Sequence, residues 1–248
     1  MRKLYVIGIG AGNPDHLTLQ AVKAMNEADV FFVLGKGKRT SELTDLRRTM
    51  LHAHKAGPYR LVEIPDPPRD RAPSHYGAAV QDWHARRADL LEQAFAQADG
   101  VGAILVWGDP SLYDSTLRIV DTVLARGGQR FDYTVVPGVT SVSALAAATR
   151  TVLHDVGEPV HVTTGRKLRA EGLRHSATVV MLDADCAFRD LPPDTHIRWA
   201  AYLGLPDETV VSGPLSEVGD HIIATRAALR ARKGWIMDIY LLQKHSPE

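Results

Sequence analysis

The stretch VGAILVWGDPSLYDST, at residues 101–116, gives the strongest indication of the fold. Its first seven residues are apolar or glycine without a break, which is typical of a strand covered on both faces of a sheet. Gly108, Asp109 and Pro110 then end the run with residues that favour a turn. We therefore predict a buried central strand over 101–107, followed by a turn and by a helix over 117–126.

Short apolar runs alternate with amphipathic segments on either side of this strand. Such an alternation of strands and helices predicts an α/β domain with a largely parallel sheet. The predicted strands lie at 4–7, 30–33, 60–64 and 133–136, and the predicted helices lie around 19–25 and at 42–54 and 76–98. Residues 66–73 contain three prolines and predict a loop.

Pro137 and Gly138 interrupt the alternation and indicate a domain boundary, so we predict domains at 1–136 and 137–248. The second half is also of α/β type, although its strand order does not follow from the sequence. Its predicted helices lie at 141–148 and 218–232, and its predicted strands at 160–163, 178–182, 198–202, 210–211 and 236–242.

The composition limits the class of protein. Lys and Arg number 29 and Asp and Glu also number 29, so no general attraction for polyanions such as nucleic acids is expected. Cys186 is the single cysteine, which excludes an intrachain disulfide and a cysteine-based zinc site. No apolar run approaches the roughly 18 residues of a membrane span, and none at the start suits a signal peptide. We therefore expect a cytoplasmic protein without a membrane partner.

The histidines show no metal-binding pattern. His52 and His54 are two residues apart and would point in different directions on a helix. Neither a His-Glu-x-x-His motif nor a serine in a nucleophile elbow occurs in the sequence. Zinc and serine hydrolases are therefore poor interpretations, and no metal site is expected.

The first strand leads into a glycine-rich turn, GIGAGN at residues 8–13. A dinucleotide-binding fingerprint would need a glycine or alanine in place of Asn13 and an acidic residue at the end of the second strand. Pro14 and Lys36 contradict that pattern, and Asn13 is instead a candidate helix N-cap. We reject an NAD oxidoreductase. The turn remains either a tight connection or a cofactor contact.

Three motifs, in order along the chain, are similar to those of one known family. They are VIGIGAG at 6–12 with its trailing Leu17-Thr18, VWGDPSLY at 106–113, and VPGVTS at 136–141. Together they resemble the tetrapyrrole (corrin/porphyrin) methylases over nearly the whole chain. Ala11 departs from the proline that many members have at that position.

The resemblance implies two α/β domains with a cofactor cleft between them, S-adenosyl-L-methionine as cofactor, S-adenosyl-L-homocysteine as product, and a homodimer. The segments 107–116, 180–183 and 234–242 are most similar to the branch of the family that works in cobalamin (corrin) biosynthesis and releases acetate. Members of that branch methylate ring carbon 1 of precorrin-5 and yield precorrin-6A. A tetrapyrrole is thus the expected substrate.

The same resemblance predicts the residues that bind the cofactor, several of them through the backbone. They are Ala11, Trp107, Gly108, Asp109, Leu112, Tyr113, Ser115, Thr116, Thr140, Ser141, Leu182, Asp183, Tyr202 and Leu203. Asp109 either accepts a hydrogen bond from the methionyl ammonium or shapes its turn. Ser115 and Thr116 either contact the cofactor or only cap the next helix.

A substrate edged with carboxylates calls for basic residues, and the candidates are Arg69, Arg71, Arg166 and Lys167. Release of acetate requires water to attack the acetyl carbonyl, assisted by a general base and a hydrogen-bond donor. The candidates for these roles are Tyr113, Asp114, His154, Asp183 and Asp238, with Tyr76 as a further donor. The sequence does not rank them.

Two alternatives remain open. A relative of the same family could methylate another acceptor, such as a different corrin intermediate, diphthamide or ribosomal RNA. A tetrapyrrole carrier could have kept the fold and lost the transfer activity, although the intact glycine motifs at 8–12, 108–110 and 137–141 argue against this.

Overall fold

The structure is a computed structural model that describes residues 1–35, 41–68 and 75–243. By its internal contacts the chain divides into two units, Met1–Val139 and Thr140–Glu248, so residues 137–139 belong to the first unit. Each unit contains one five-stranded sheet with helices. The α/β fold class predicted from the alternation of strands and helices is confirmed.

The first unit has a fully parallel sheet in the order β3-β2-β4-β1-β5. Its strands are β1 (Lys3–Gly8), β2 (Val30–Gly35), β3 (Arg60–Pro65), β4 (Val101–Val106) and β5 (Asp132–Val136). Its helices are α1 (Leu19–Glu27), α2 (Ser41–His54), α3 (Tyr76–Ala96) and α4 (Thr116–Ala125). All six residues of β4 are buried, as the apolar run predicted.

Alternate residues of the strands fill two apolar layers, one on each face of this sheet. Leu4 and Val6 point into the layer that contains α3 and α4, and Tyr5 and Ile7 point into the layer that contains α1 and α2. A strand places successive side chains on opposite faces. The helices that follow β2 and β4 therefore lie on opposite faces of the sheet. The chain thus leaves the carboxyl ends of these two neighbouring strands in opposite directions.

The N-cap of α1 differs from the prediction. Asn13 caps only a short 3-10 turn, Pro14–His16, by accepting a hydrogen bond from the Asp15 amide. The N-cap of α1 is Thr18, whose hydroxyl accepts from the Ala21 amide at 3.0 Å. Pro14 fits the first position of the 3-10 turn, where no amide donor is needed, and this delays the helix by several residues.

The second unit has a mixed sheet in the order β6-β7-β10-β8-β9, in which only β6 and β7 are parallel. Its strands are β6 (Val160–Thr164), β7 (Ala177–Met181), β8 (His196–Ala201), β9 (Thr209–Pro214) and β10 (Asp238–Gln243). Its helices are α5 (Ser141–Ala148), α6 (Gly165–Glu171) and α7 (Leu215–Lys233). Its interior contains four aromatic residues that are almost fully buried, Phe188, Trp199, Tyr202 and Tyr240.

Helix α6 was missed in the sequence. It is seven residues long and buries only Gly165 and Leu168, so it shows no apolar periodicity. The Thr164 hydroxyl caps it by accepting from the Lys167 amide at 3.4 Å. In the part of the chain that the structure describes, no helix combines the length and apolar character needed to cross a membrane.

Candidate functional site

The glycine motifs of the first unit meet where β1, β4 and β5 end. A Cβ added to Gly8 would lie 2.6 Å from the Gly138 amide nitrogen, and one added to Gly138 would lie 2.2 Å from the Gly108 carbonyl oxygen. Gly10 and Gly108 also exchange backbone hydrogen bonds, at 3.3 and 2.8 Å. The motifs contain glycine because their backbones are in contact, which leaves the loops beyond them in a fixed arrangement.

Asp109 joins two of these motifs through its side chain. One carboxylate oxygen accepts from the Gly138 amide at 2.9 Å, and the other accepts from the amide and hydroxyl of Ser111. Burial raises the pKa of Asp109, but the hydrogen bonds from Ser111 and Gly138 outweigh it, so the pKa lies below its ordinary value. The carboxylate is therefore held ionised and performs the turn-shaping role that the sequence left open; binding of an ammonium group stays a prediction.

The loop after this turn presents several of the predicted cofactor residues. Tyr113 has a backbone φ of 51° and is 45% exposed, and burial of part of its ring raises the pKa of its hydroxyl. The Asp114 side chain accepts from the Thr116 amide at 2.6 Å, whereas Ser115, the N-cap residue of α4, makes no side-chain capping bond. The start of α4 is thus capped by Asp114, and the Ser115 hydroxyl is not used for capping.

Leu112 is half-buried beside Tyr113, and Ala11 is buried in the glycine turn. Trp107 is also half-buried, and its indole nitrogen is a buried donor for which the described residues offer no acceptor. The face of its ring packs 5.3 Å from the guanidinium carbon of Arg47 on α2. Sequence reasoning did not identify Arg47, because a basic residue in a polar helix resembles a solvated one.

In the second unit, two predicted residues follow strands in a left-handed conformation. Leu182 (φ 52°) follows β7 with its side chain 66% exposed, and Tyr202 (φ 54°) follows β8 and is buried, its hydroxyl donating to the Trp235 carbonyl at 2.6 Å. Leu203 is buried next to it. Positive φ values at non-glycine residues are uncommon and are concentrated at ligand sites, and Tyr113 shares this conformation.

Thr140 and Ser141 lie at the start of α5, as predicted. Thr140 is the N-cap, and its hydroxyl accepts from the Ser143 amide at 3.1 Å. Both residues are half-buried. The first amides of the helix provide donors there that suit a carboxylate or a ribose.

Asp183 is buried with both carboxylate oxygens in use. It accepts from the amides of Asp185 and Ala187 at 3.0 and 2.6 Å, and from the Tyr240 hydroxyl at 2.6 Å. Burial, followed by the nearby charge of Asp183, raises the pKa of Tyr240 far above its usual range. This arrangement makes Asp183 an organiser of the loop after β7 and a weak candidate for a base that must approach water.

Asp238 has a similar position at the start of β10. It forms a buried ion pair with Arg226 of α7 at 2.7 Å and accepts from the Trp199 indole at 3.0 Å. Arg226 also donates to the Asp183 carbonyl at 2.6 Å. Burial alone would lower the pKa of Arg226, but Asp238 raises it above the ordinary value. Asp238 is thus also tied into the structure, through an arginine that the sequence did not single out.

The remaining predicted residues are less informative. His154 is exposed in the loop after α5, with its ring nitrogen 2.7 Å from the Asp155 carbonyl. Arg166 and Lys167 are exposed in the first turn of α6, where Lys167 pairs with Glu171 at 2.8 Å. Arg69, Arg71 and the side chain of Tyr76 lie outside the described residues.

The described residues contain no group of three or more His, Cys, Asp or Glu side chains placed to hold a metal ion. In the first unit the Trp107 indole is a donor at the end of β4, and in the second unit the first amides of α5 are donors behind the Thr140 cap. Such groups, with the exposed apolar side chains of Tyr113 and Leu182, suit an organic cofactor that carries both polar and apolar parts.

Comparison with known proteins gives matches along the whole chain. A precorrin-6A synthase (deacetylating) from Sinorhizobium sp is 49% identical over 250 residues, which cover 98% of this chain and 96% of that protein. The crystal structure of a cobalamin synthesis related protein (CobF) from Corynebacterium diphtheriae has a TM-score of 0.83 and 37% identity, covering 99% of this chain and 100% of that one.

A more distant solved structure shares the fold. The uroporphyrin-III C-methyltransferase from Thermus thermophilus, complexed with S-adenosyl homocysteine, has a TM-score of 0.60 at 20% identity, covering 97% of each chain. The family described as Tetrapyrrole (Corrin/Porphyrin) Methylases matches this chain over residues 3–219. The resemblance noted in the sequence is therefore confirmed, and the chain belongs to the tetrapyrrole (corrin/porphyrin) methylase family.

Proposed function

We propose that this protein is an S-adenosylmethionine-dependent C-methyltransferase of cobalamin biosynthesis, which methylates precorrin-5 at ring carbon 1 and releases acetate to give precorrin-6A. One observation carries the proposal: the 49% identity to the Sinorhizobium precorrin-6A synthase extends over 98% of this chain. An identity of that extent leaves no domain of the relative without a counterpart here. A different acceptor or a carrier function has no comparable support.

The cofactor proposal rests on the fit of the loops. The backbone contact among Gly8, Gly108 and Gly138 makes a surface without side chains, which an extended ligand can approach closely. Each unit also holds one exposed large side chain at positive φ, Tyr113 in the first and Leu182 in the second, as expected of a group that packs against a flat aromatic ring. The proposed ligand of these loops is S-adenosyl-L-methionine, which supplies the methyl group.

Methyl transfer makes few demands on acid–base chemistry. The acceptor carbon of the macrocycle is electron-rich, and the leaving sulfide is neutral, so the main contribution of the protein is to hold the two reacting atoms in line. The bond between Asp109 and Gly138 serves this purpose, because it fixes the loops after β4 and β5 relative to each other. A metal ion has no necessary role in such a displacement.

Acetate release requires more of the protein. Water adds to the acetyl carbonyl, the bond between the acetyl group and the ring breaks, and the ring takes the electron pair as acetic acid leaves. Among the predicted bases, Asp114 suits this step best: it is half-buried, and the Thr116 amide occupies only one of its oxygens. We propose Asp114 as the group that activates water, with Tyr113 next to it as a donor to the carbonyl oxygen.

We further propose that the protein acts in the cytoplasm as a homodimer, with no nucleic-acid or membrane partner. The equal numbers of acidic and basic residues support the lack of a nucleic-acid partner. The lone cysteine, Cys186, is buried and free, as suits a reducing compartment. Light scattering of the purified protein would test the dimer, since a monomer mass would contradict it.

The function is tested by incubating the protein with methyl-labelled S-adenosylmethionine and precorrin-5, with mass spectrometry of the corrin and an acetate assay on the same sample. Labelled precorrin-6A and one acetate per methyl group are expected. Label without acetate would restrict the protein to methyl transfer. Absence of both, with folded protein and intact substrate, would contradict the proposal.

The role of Asp114 is tested with Asp114→Asn in the same assay, and Asp121→Asn serves as the matched control. Asp121 lies on α4 and accepts from Tyr133 at 2.8 Å. Asp114→Asn should form the methylated corrin with delayed acetate, because the neutral amide still accepts from Thr116 but cannot take a proton. Equal loss of methyl transfer and acetate would show that Asp114 acts on the loop rather than on water.

A further inference from the structure

The carboxyl ends of β2 and β4 separate. The two strands pair only over Val30–Phe32 and Gly102–Ile104, after which β2 continues beside β3 as far as Gly35 and β4 continues beside β1 as far as Val106. The helices that follow these two strands lie on opposite faces of the sheet. A gap of this kind is a topological switch point, where α/β sheets bind their ligands.

Arg47 lies at this gap. Its Nε donates to the Leu105 carbonyl at 3.2 Å, and its Nη1 donates to the Leu43 carbonyl at 3.1 Å. Leu105 is just beyond the last residue of β4 that pairs with β2. The ring of Trp107 packs against the guanidinium from the end of the same strand. Two carbonyls and an indole therefore hold the arginine in place where the strands part.

Arg47 forms no salt bridge with any of the described residues. Asp114 is near enough to attract it, but the two form no ion pair. Residues 36–40, directly before α2, contain no acidic residue in the sequence. Burial lowers the pKa of Arg47 to about 10, against the attraction of Asp114, so the guanidinium is still charged at neutral pH.

The two buried arginines of the described residues both have a carboxylate partner. Arg87 binds both oxygens of Asp66 at 2.6 and 2.8 Å, and Arg226 forms its ion pair with Asp238. A buried charge without an ionic partner is costly, and a carboxylate is the partner that best offsets this cost for an arginine. Arg47 is half-buried and, like Arg198, has no carboxylate partner among the described residues. Arg198 donates to the Gln243 side chain instead, whereas Arg47 donates to backbone carbonyls, and the donor of Trp107 beside it has no acceptor in the described part of the chain.

We propose that Arg47 binds a peripheral carboxylate of the tetrapyrrole substrate at the gap between β2 and β4. This rests on the proposed function, because the ligand is the polycarboxylate that such an enzyme methylates. The other candidate ligand of Arg47 is the carboxylate on the methionyl group of S-adenosylmethionine. It is disfavoured because the glycine contacts lie on the β1 side of β4, across the strand from Arg47.

The test compares Arg47→Gln, Arg47→Lys and the control Arg48→Gln, which removes an exposed arginine next to Arg47 that pairs with Asp45 and Glu63. Binding is measured with uroporphyrin III, a stable tetrapyrrole polycarboxylate, and with S-adenosylhomocysteine. Arg47→Gln should raise the Kd for uroporphyrin III about tenfold or more, as expected for a charged hydrogen bond. The Kd for S-adenosylhomocysteine should stay unchanged, and Arg47→Lys should give an intermediate value.

A ligand-side control separates binding from folding. The methyl ester of uroporphyrin III has no carboxylates, so wild type and Arg47→Gln should bind the ester with the same Kd. An equal loss for acid and ester would indicate a distorted site and overturn the proposal, as would unchanged affinity for the acid. A loss confined to S-adenosylhomocysteine would assign Arg47 to the methionyl carboxylate and also overturn it. A wild-type protein that neither binds tetrapyrroles nor methylates precorrin-5 would instead refute the proposed function.

Discussion

The contact between the glycine motifs leads to a sharp prediction for Gly138→Ala. The new Cβ would lie 2.2 Å from the Gly108 carbonyl oxygen, 0.8 Å less than the 3.0 Å below which Cβ contacts essentially do not occur. Two further contacts, at 2.7 and 2.9 Å, are with backbone atoms of Gly8. Since no flexible side chain can yield, the loops after β1 and β4 must move away from that of β5.

The cost follows from this displacement. Overpacking that shifts backbone costs about 1–3 kcal/mol, and we expect the upper part of that range because all three contacts are with backbone. A loss of about 3 kcal/mol corresponds to a fall of roughly 6–12 °C in Tm for a chain of this size. The same shift alters the cofactor loops, so the Kd for S-adenosylhomocysteine should rise about tenfold or more, which corresponds to a loss of about 1.4 kcal/mol or more of binding free energy.

The assay is thermal unfolding followed by circular dichroism, together with calorimetric titration of S-adenosylhomocysteine. Gly77→Ala is the matched control, because nothing lies within 4 Å of a Cβ added there and Gly77 is in the first turn of α3. It should leave Tm unchanged or slightly raised. A Gly138→Ala protein with the Tm and affinity of the wild type would refute the close contact of the three motifs.

Three further predictions concern the site residues. Tyr240→Phe removes a donor from the buried Asp183 and should lower the free energy of unfolding by about 1–3 kcal/mol in urea titrations; no change would mean that Asp183 is satisfied without it. Leu182→Asn should change the free energy of unfolding by less than about 0.5 kcal/mol, because Leu182 is exposed and Asn tolerates positive φ. The same variant should bind S-adenosylhomocysteine more weakly in calorimetry, and unchanged binding would limit Leu182 to backbone contacts. The pKa of Asp109 is lowered in the folded protein, so its contribution to stability is present above its unfolded pKa of about 3.9 and lost as pH falls through the folded value. The Tm difference between wild type and Asp109→Asn should therefore shrink below about pH 4. A difference that persists in acid would mean that Asp109 stabilises the protein through the fit of its side chain and not through its negative charge.

Much of the first unit was predictable because its signals are local. The apolar run at 101–107 gave a strand that is buried throughout, and the breaks at Gly8 and Gly108 fell at strand ends. Helix α6 was missed because only one large apolar side chain, Leu168, defines its inner face. The N-cap of α1 was wrongly assigned to Asn13, because Thr18, five residues later, can cap a helix equally well.

The candidate site was predictable only in part. Two residues of the predicted segments, Tyr113 in the loop after β4 and Leu182 directly after β7, have the strained conformation that a binding loop favours. The acidic candidates could not be ranked, because an Asp in a sequence has no visible partners. The structure shows Asp183 and Asp238 buried and bonded, and Asp114 with one oxygen occupied.

The sequence by itself determined the type and order of most elements and the family, since apolar periodicity, turn residues and motif spacing are properties of neighbouring residues. Only the tertiary structure decided the strand order, the bond between Asp183 and Tyr240, 57 residues apart, and the position of Arg47 beside Trp107. Burial and partner choice depend on which distant segments pack together. The pKa of a carboxylate and the accessibility of an arginine therefore follow from the fold and not from the local sequence.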